Sequence, residues 1–200
     1  MGVEQSDTEV ANRALAMLGV TLRVDNLQTN ETPHGVAMRH AFPALWRALL
    51  QEYPWNWAGG RASLPALAEK PAFEFAYAYA PPSDFLSLRD IHGYPNERYS
   101  LEANDAHEPV ILTDIGPPLA LRYGRLITTV GRAPQVWIEA FIPRLAAVTA
   151  MTATNIDSDP ANAWDVYRQM LATAQDWDAT TNDPGRIADG PMVEDRHGSS

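Results

Sequence analysis

The sequence predicts an α+β protein, a helical bundle that carries an inserted antiparallel β-sheet module and ends in a flexible C-terminal tail. Apolar residues recur with a helical period within residues 7–53 and again within 134–177. Between them, in residues 58–129, the period changes to two and turn residues separate short apolar runs. Residues 182–200 are polar and contain Gly and Pro, which is typical of a flexible tail. Residues 1–181 are therefore expected to form one domain.

Start signals place four helices. Residues 6–9 form a capping box, in which a Ser hydroxyl and a Glu carboxylate satisfy free backbone amides. Thr32 followed by Pro33 is a cap with proline at the first helical position. Residues 157–160 give a similar signal, Asp-Ser-Asp-Pro. The expected helices span residues 7–19, 33–53, 134–154 and 160–177.

Two of these helices contain an internal proline. Pro43 lies inside the second helix and Pro143 inside the third. Proline lacks a backbone N–H, and its ring clashes with the preceding turn, at a cost of roughly 3 kcal/mol or more. The sequence therefore predicts a bend or a break at each of the two positions.

The inserted module is predicted to be a sheet of six short strands. The candidate strands are residues 62–67, 73–79, 85–92, 99–101, 110–112 and 119–123. Turns rich in Pro, Gly, Asn and Asp separate them. Short strands joined by close turns indicate antiparallel pairing, because parallel strands need long crossover connections.

One predicted strand carries an aromatic stripe. Phe73, Phe75, Tyr77 and Tyr79 occupy alternate positions, and alternate side chains of a strand share one face. Four exposed rings would form an apolar patch that few soluble proteins tolerate. The stripe is therefore expected to be mostly buried against helices or a neighbouring subunit.

Two tryptophans, Trp55 and Trp57, follow the second helix. Tryptophan is enriched at the centres of protein interfaces, so the pair is a candidate partner-binding site. An equally good interpretation is structural: one ring packs beneath the sheet and the other, on the opposite face, stays partly exposed.

Composition narrows the possible partners. The chain has 15 basic and 25 acidic residues, a formal charge of −10, so it lacks the positive footprint of a duplex-binding protein. An acidic wall past which DNA slides is compatible with this charge, and so is a charge that only keeps the chain soluble. Cysteine is absent, which excludes disulfides, thiolate nucleophiles and Cys-ligated zinc.

Other classes of function lack their signals. The first seven residues are polar and acidic, unlike a signal peptide, and no stretch reaches the roughly 20 apolar residues of a membrane span. The five histidines form neither an HExxH motif nor an i,i+4 pair, so no metal and no cofactor is expected. The chain is expected in the cytoplasm where it is made.

The order of features resembles the head-to-tail adaptor (connector) family of tailed bacteriophages, in the branch of tail tubular protein A. The resemblance begins at residues 12–19, Asn-Arg-Ala-Leu-Ala-Met-Leu-Gly, and continues through 45–50 and Trp55-Asn56-Trp57. It then takes in Ala62, Leu64, Tyr79, Pro82, Asp84 and Leu86, and the helix around 140–150. It covers most of residues 8–155 and consists of packing residues, so it is specific only as an ensemble.

The resemblance implies a structural virion protein without catalysis. Such adaptors form a ring, expected to be a dodecamer, between the portal protein and the tail or nozzle proteins, and they extend the DNA channel. Genome DNA would pass without sequence-specific binding and without a membrane being involved. The protein would reside in the neck of the virion, after assembly in the host cytoplasm.

The C-terminal tail is a further candidate for partner binding. Ile187, Met192 and Val193 are isolated apolar residues among polar ones, too few for a core. Sparse anchors of this kind suit a segment that orders when it binds. We expect the tail to be mobile in the free subunit and ordered on docking to the portal.

Two other classes of function remain open. The first is a small carbohydrate-active or hydrolytic tail enzyme that uses Asp84 or Asp90, the carboxylates nearest the aromatic strand. Asp84 also suits a structural role in a turn. The second is a cytosolic ligand-binding module that uses the aromatic face of the sheet.

Overall fold

The computed structural model of the chain describes residues 6–154 and 160–181 and has an α+β architecture. Its helices are α1 (Asp7–Met17), α2 (Pro33–Glu52), α3 (Gln135–Thr154) and α4 (Pro160–Thr181). Its strands are β1 (Gly59–Leu64), β2 (Tyr77–Tyr79), β3 (Phe85–Ile91), β4 (Tyr99–Ala103), β5 (Pro109–Thr113) and β6 (Leu119–Arg125). The order of two helices, strands and two helices confirms the predicted fold class.

Helix α3 is the centre of the bundle. It contacts each of the other three helices and is apolar on most of its circumference, as a helix surrounded by protein must be. The predicted caps hold the two helices that precede the strands. The Ser6 hydroxyl accepts a hydrogen bond from the backbone N–H of Glu9 at 3.2 Å, and the Thr32 hydroxyl accepts one from Gly35 at 3.3 Å.

The helix boundaries differ from the predicted ones by a few residues. Helix α1 ends at Met17, and Gly19, with φ +78°, lies in the turn that follows it. Helix α4 continues to Thr181, four residues beyond its predicted end at 177. The predicted tail, residues 182–200, lies outside the described residues.

Neither internal proline breaks its helix. Helix α2 continues through Pro43 and α3 through Pro143, so the prediction of a break is wrong at both positions. The reason is packing. Phe42, next to Pro43, and Phe141, two residues before Pro143, are buried in the same core with ring centroids 4.9 Å apart. Tertiary contacts of this kind outweigh a single lost backbone bond. A bend without a break stays a prediction.

The strands form two three-stranded sheets where the sequence predicted one. The first sheet has the order β1-β6-β3 and the second β2-β5-β4, and every pairing is antiparallel. The two sheets share one apolar cluster, so they pack face to face. Its buried members are Leu64, Tyr79, Ile91, Ile111, Ile115, Leu119, Leu121 and Tyr123.

The predicted aromatic strand at residues 73–79 is wrong in its first half. Strand β2 begins only at Tyr77, and Phe73 is 80% exposed. Glu74 has φ +72°, a left-handed conformation that ends the alternation of faces. Arg98 holds this turn, since it donates to the Glu74 carbonyl at 3.2 Å and lies over the Phe75 ring at 5.0 Å. Only Tyr79 of the stripe is fully buried.

Candidate functional site

The Trp55-Asn56-Trp57 segment joins the bundle to the sheets. It leads from α2 into β1 through a single 3-10 turn, Asn56–Ala58. Trp55 is 1% exposed, and its indole N–H donates to the carbonyl of Leu49 at 2.8 Å. Trp57 is half-buried. The structure thus places Trp55 in the core of the bundle and not beneath the sheet, and contact of either tryptophan with a partner stays a prediction.

Both tryptophans pack against one residue of the central helix, Trp137. Its ring centroid lies 6.2 Å from that of Trp55 and 5.3 Å from that of Trp57. Trp46 of α2 lies closer, at 4.4 Å, and its N–H donates to the carbonyl of Ile127 at 2.5 Å. Ile127 follows β6, so this cluster of four indoles spans the entry to the strand region, its exit and two helices.

A buried carboxylate from α4 fixes the same segment. Asp178 is 0% exposed and accepts hydrogen bonds from the backbone N–H groups of Asn56, at 2.7 Å, and Trp57, at 3.2 Å. The Asn56 side chain returns a bond to the Asp178 carbonyl at 3.2 Å. The first N–H groups of a helical turn have no partner within that turn, and here a carboxylate from a distant helix supplies one.

Arg89 of β3 completes the junction. Its guanidinium donates to the carbonyl of Trp55. Burial lowers the pKa of Arg89, and the charge of Asp178 acts in the opposite direction. Three elements distant in sequence, α4, the Trp55-Asn56-Trp57 segment and β3, therefore meet at one set of polar contacts, which we call the junction.

Asp178 and Arg89 were not predicted from the sequence, although one signal for Asp178 is present in it. Asp178 lies in the last turn of α4, where a negative charge opposes the helix dipole. A carboxylate in that position is unfavourable unless a partner compensates for it. The partner, however, is 122 residues away in sequence.

A second polar cluster ties three helices together. Arg144 of α3 forms an ion pair with Glu52 of α2 and donates to the Tyr167 hydroxyl of α4 at 2.7 Å. That hydroxyl donates to the Glu52 carboxylate at 2.9 Å. Burial, and then the hydrogen bond to Glu52, raise the pKa of Tyr167 above its ordinary range. The hydroxyl therefore stays protonated and keeps its donor role.

A third contact joins α1 to α3 and leads to a prediction about pH. Arg13 donates to Glu139 at 2.6 Å, and this bond holds the pKa of Glu139 below its ordinary value of 4.5. A depressed pKa stabilises the folded state above the unfolded value, and that stability is lost as the pH falls through the folded value.

We therefore expect Glu139→Gln to remove part of the acid sensitivity of folding. Both side chains are 37% exposed, so the difference at pH 7 should be no more than about 1 kcal/mol. The check is urea denaturation of both proteins at several pH values from neutral down to below 4. Parallel curves of stability against pH would contradict the assignment.

The two candidate catalytic carboxylates each lie beside an arginine of β6. Asp84 accepts a hydrogen bond from the Tyr123 hydroxyl at 2.9 Å and pairs with Arg125 at 3.3 Å. Asp90 lies 3.9 Å from Arg122. Burial, and then the bond to Asp84, raise the pKa of Tyr123. Such pairs hold strands together, and this geometry does not favour either carboxylate as a general acid.

Three further expectations concern metal binding, membrane spans and the C-terminal tail. Among the described residues, no group of three or more His, Asp or Glu side chains is arranged to hold a metal ion. No helix in the described ranges combines the length and the apolar character that crossing a membrane requires. The proposed tail anchors Ile187, Met192 and Val193 lie outside the described residues.

Neither a protein-family model nor a curated protein matches the chain.

Proposed function

We propose that this protein is a structural component of a phage virion, a head-to-tail adaptor that forms a ring between the portal and the tail. The observation that carries the proposal is the insertion of a two-sheet module between helices α2 and α3 of a helical bundle. This is the architecture that the sequence resemblance implies, and the Trp55-Asn56-Trp57 segment of the resemblance lies at the point of insertion.

The junction supports this role physically. A subunit held between two other rings must keep its bundle and its sheets in a fixed relation, since each would contact a different neighbour. Asp178 and the cluster of four indoles around Trp137 join the two parts through hydrogen bonds and edge-to-face ring contacts. Their contacts are made within the chain, as expected of residues that organise a scaffold.

The surface supports the same interpretation. Large apolar side chains remain exposed on both parts of the chain: Leu22 at 68%, Phe73 at 80%, Leu101 at 49% and Val148 at 45%. Exposed apolar groups are common contact points for partners. Their distribution over bundle and module suits a subunit with several neighbours.

The proposal is tested by mixing the purified chain with the portal ring encoded in the same genome. Electron microscopy should show an added ring below the portal, with one copy of this chain for each portal subunit. The proposal fails if the genome encodes no portal, or if saturating chain adds no density to its portal.

A truncation tests whether the C-terminal tail or the helical bundle attaches the chain to the portal. Deletion of the residues after Thr181 removes the anchors Ile187, Met192 and Val193 and leaves α4 complete. We expect unchanged thermal unfolding and weakened attachment to the portal, because many tails would engage at once in a ring. Unchanged attachment would instead place the docking surface on the helices.

A further inference from the structure

The outer face of the first sheet carries two neighbouring positive charges, of which only one has an ion-pair partner among the described residues. Arg61 of β1 and Arg122 of β6 are direct register partners, and like charges in that position destabilise a strand pair. Asp90 lies 3.9 Å from Arg122. Arg61 has no ion pair among the described residues. The two arginines thus leave positive charge that a further anionic group could neutralise.

These two arginines border a shallow depression of about 480 Å³, which we call the basic depression. Ser63 and His92 also line it, and small or apolar residues form the remainder. The site can therefore admit a carboxylate and hydrogen-bond it. In a chain with a net charge of −10, such a patch stands out against its surroundings.

The outer face of the second sheet has the opposite character. Lys70 and Glu74, which pairs with Arg98, line a depression of about 480 Å³ together with three further carboxylates, Glu69, Glu102 and Asp105. The carboxylates outnumber the single lysine, and we call this site the acidic depression. Its floor includes Val110 and Leu112. None of the three further carboxylates forms an ion pair within the described ranges.

The two depressions face away from each other. Leu121 and Ile111 are buried in the cluster between the sheets, and successive side chains of a strand point to opposite faces. Arg122, next to Leu121, and Leu112, next to Ile111, therefore lie on the two outer faces of the pair of sheets. One chain cannot bring these surfaces together, but two copies can.

We propose that copies of this chain bind head to tail through their sheets, with the acidic depression of one copy against the basic depression of the next. Arg61 and Arg122 then meet Glu69, Glu102 and Asp105 of the neighbour. Two different complementary surfaces on opposite faces define a heterologous contact, which forms a ring when the rotation between neighbours closes and an open filament when it does not. This contact rests on the proposed function in that a ring needs a heterologous contact. The evidence for it is the distribution of charge over the two sheets.

Reciprocal charge reversal tests the contact. One variant carries Arg61→Glu and Arg122→Glu, and the other carries Glu69→Lys, Glu102→Lys and Asp105→Lys. Each variant alone should associate roughly tenfold more weakly than the wild type, or not at all. An equimolar mixture should recover association, because unlike variants can alternate around a ring.

The measurement is sedimentation velocity over a range of protein concentrations at low salt, with thermal unfolding as the control for folding. All five positions are exposed, so the variants should fold normally. Two results would overturn the proposal: association of either variant as tight as that of the wild type, or a mixture no better than its components.

Cross-linking locates the contact even where association is weak. The natural chain has no cysteine, so Ser63→Cys beside Arg61 and Ala106→Cys in the acidic depression introduce unique thiols. A short bis-maleimide should link position 63 of one copy to position 106 of another and produce a ladder of oligomers. Thr21→Cys combined with Ala106→Cys, on an unrelated surface, is the matched control and should give no ladder.

Each other outcome of these experiments also decides for or against the head-to-tail contact. Absence of the 63–106 link, or links between two 63 positions only, would overturn the head-to-tail contact. A wild type that stays monomeric, with inorganic phosphate raising its Tm but not that of the Arg61→Glu/Arg122→Glu variant, would show a small-anion site instead.

Rings formed on the portal by the Arg61→Glu/Arg122→Glu variant would overturn the contact and leave the proposed function standing. A Ser63→Cys/Ala106→Cys chain that forms the ladder without binding the portal would support the contact and overturn the proposed function.

Discussion

Replacement of Trp137 with alanine is expected to destabilise the protein by about 3–5 kcal/mol, the range for loss of a large aromatic side chain from a core. Trp137 is 0% exposed and lies against Trp46, Trp55, Trp57 and Phe141. Its removal leaves a cavity that these rigid rings cannot fill by collapse. A loss of this size is a large part of the 5–15 kcal/mol that stabilises a typical domain.

Trp137→Phe is the matched control. The indole N–H of Trp137 has no hydrogen-bond partner among the residues that the structure describes, so phenylalanine gives up ring volume but none of the observed polar contacts. We therefore expect a clearly smaller loss than with alanine. Urea denaturation followed by far-UV circular dichroism measures both. An alanine variant that loses less than about 1 kcal/mol would show that Trp137 is not central to the core.

The helices were predictable because their signals are local. The capping box before α1 and the Thr32-Pro33 start of α2 are properties of a few neighbouring residues, and both appear as hydrogen-bonded caps. The apolar face of α3 predicted burial for the same reason. The error at Pro43 and Pro143 arose because a local cost was weighed without the core that surrounds each helix.

The sheets were less predictable because their pairing is not local. Strand β6 pairs with β1, some 60 residues earlier in the chain, and that pairing divides the strands into two sheets. Alternation of aromatic residues predicted a single strand at 73–79, but it could not show the left-handed Glu74. Arg98, which holds that turn, belongs to a different connection.

The junction was the least predictable feature. Trp55 and Trp57 were singled out as a pair, yet nothing near them in sequence indicates a carboxylate from the end of α4. Pairing of a buried charge with backbone amides depends on how two distant elements pack. Such a contact becomes visible only in three dimensions.

Replacement of Asp178 with alanine tests the junction directly. The change removes two hydrogen bonds to a buried carboxylate and leaves the N–H groups of Asn56 and Trp57 without partners. Bonds to charged groups contribute about 1.5–3 kcal/mol each, so we expect a loss on the order of 3 kcal/mol. Asp178→Asn keeps one acceptor oxygen and should lose less.

Asp176→Ala is the control for the loss of a negative charge from the same helix. Asp176 is exposed and forms no ion pair within the described residues, so its replacement should change stability by no more than about 0.5 kcal/mol. Amide hydrogen exchange supplies a local measurement. The amides of Asn56 and Trp57 should exchange faster in the Asp178→Ala variant. The exchange rates of amides in the middle of α3 should change only as much as the global free energy of unfolding requires. If Asp178→Ala and Asp176→Ala behave alike in both measurements, the carboxylate does not fix the Trp55-Asn56-Trp57 segment, and Arg89 and the cluster of four indoles hold the bundle and the sheets together without it.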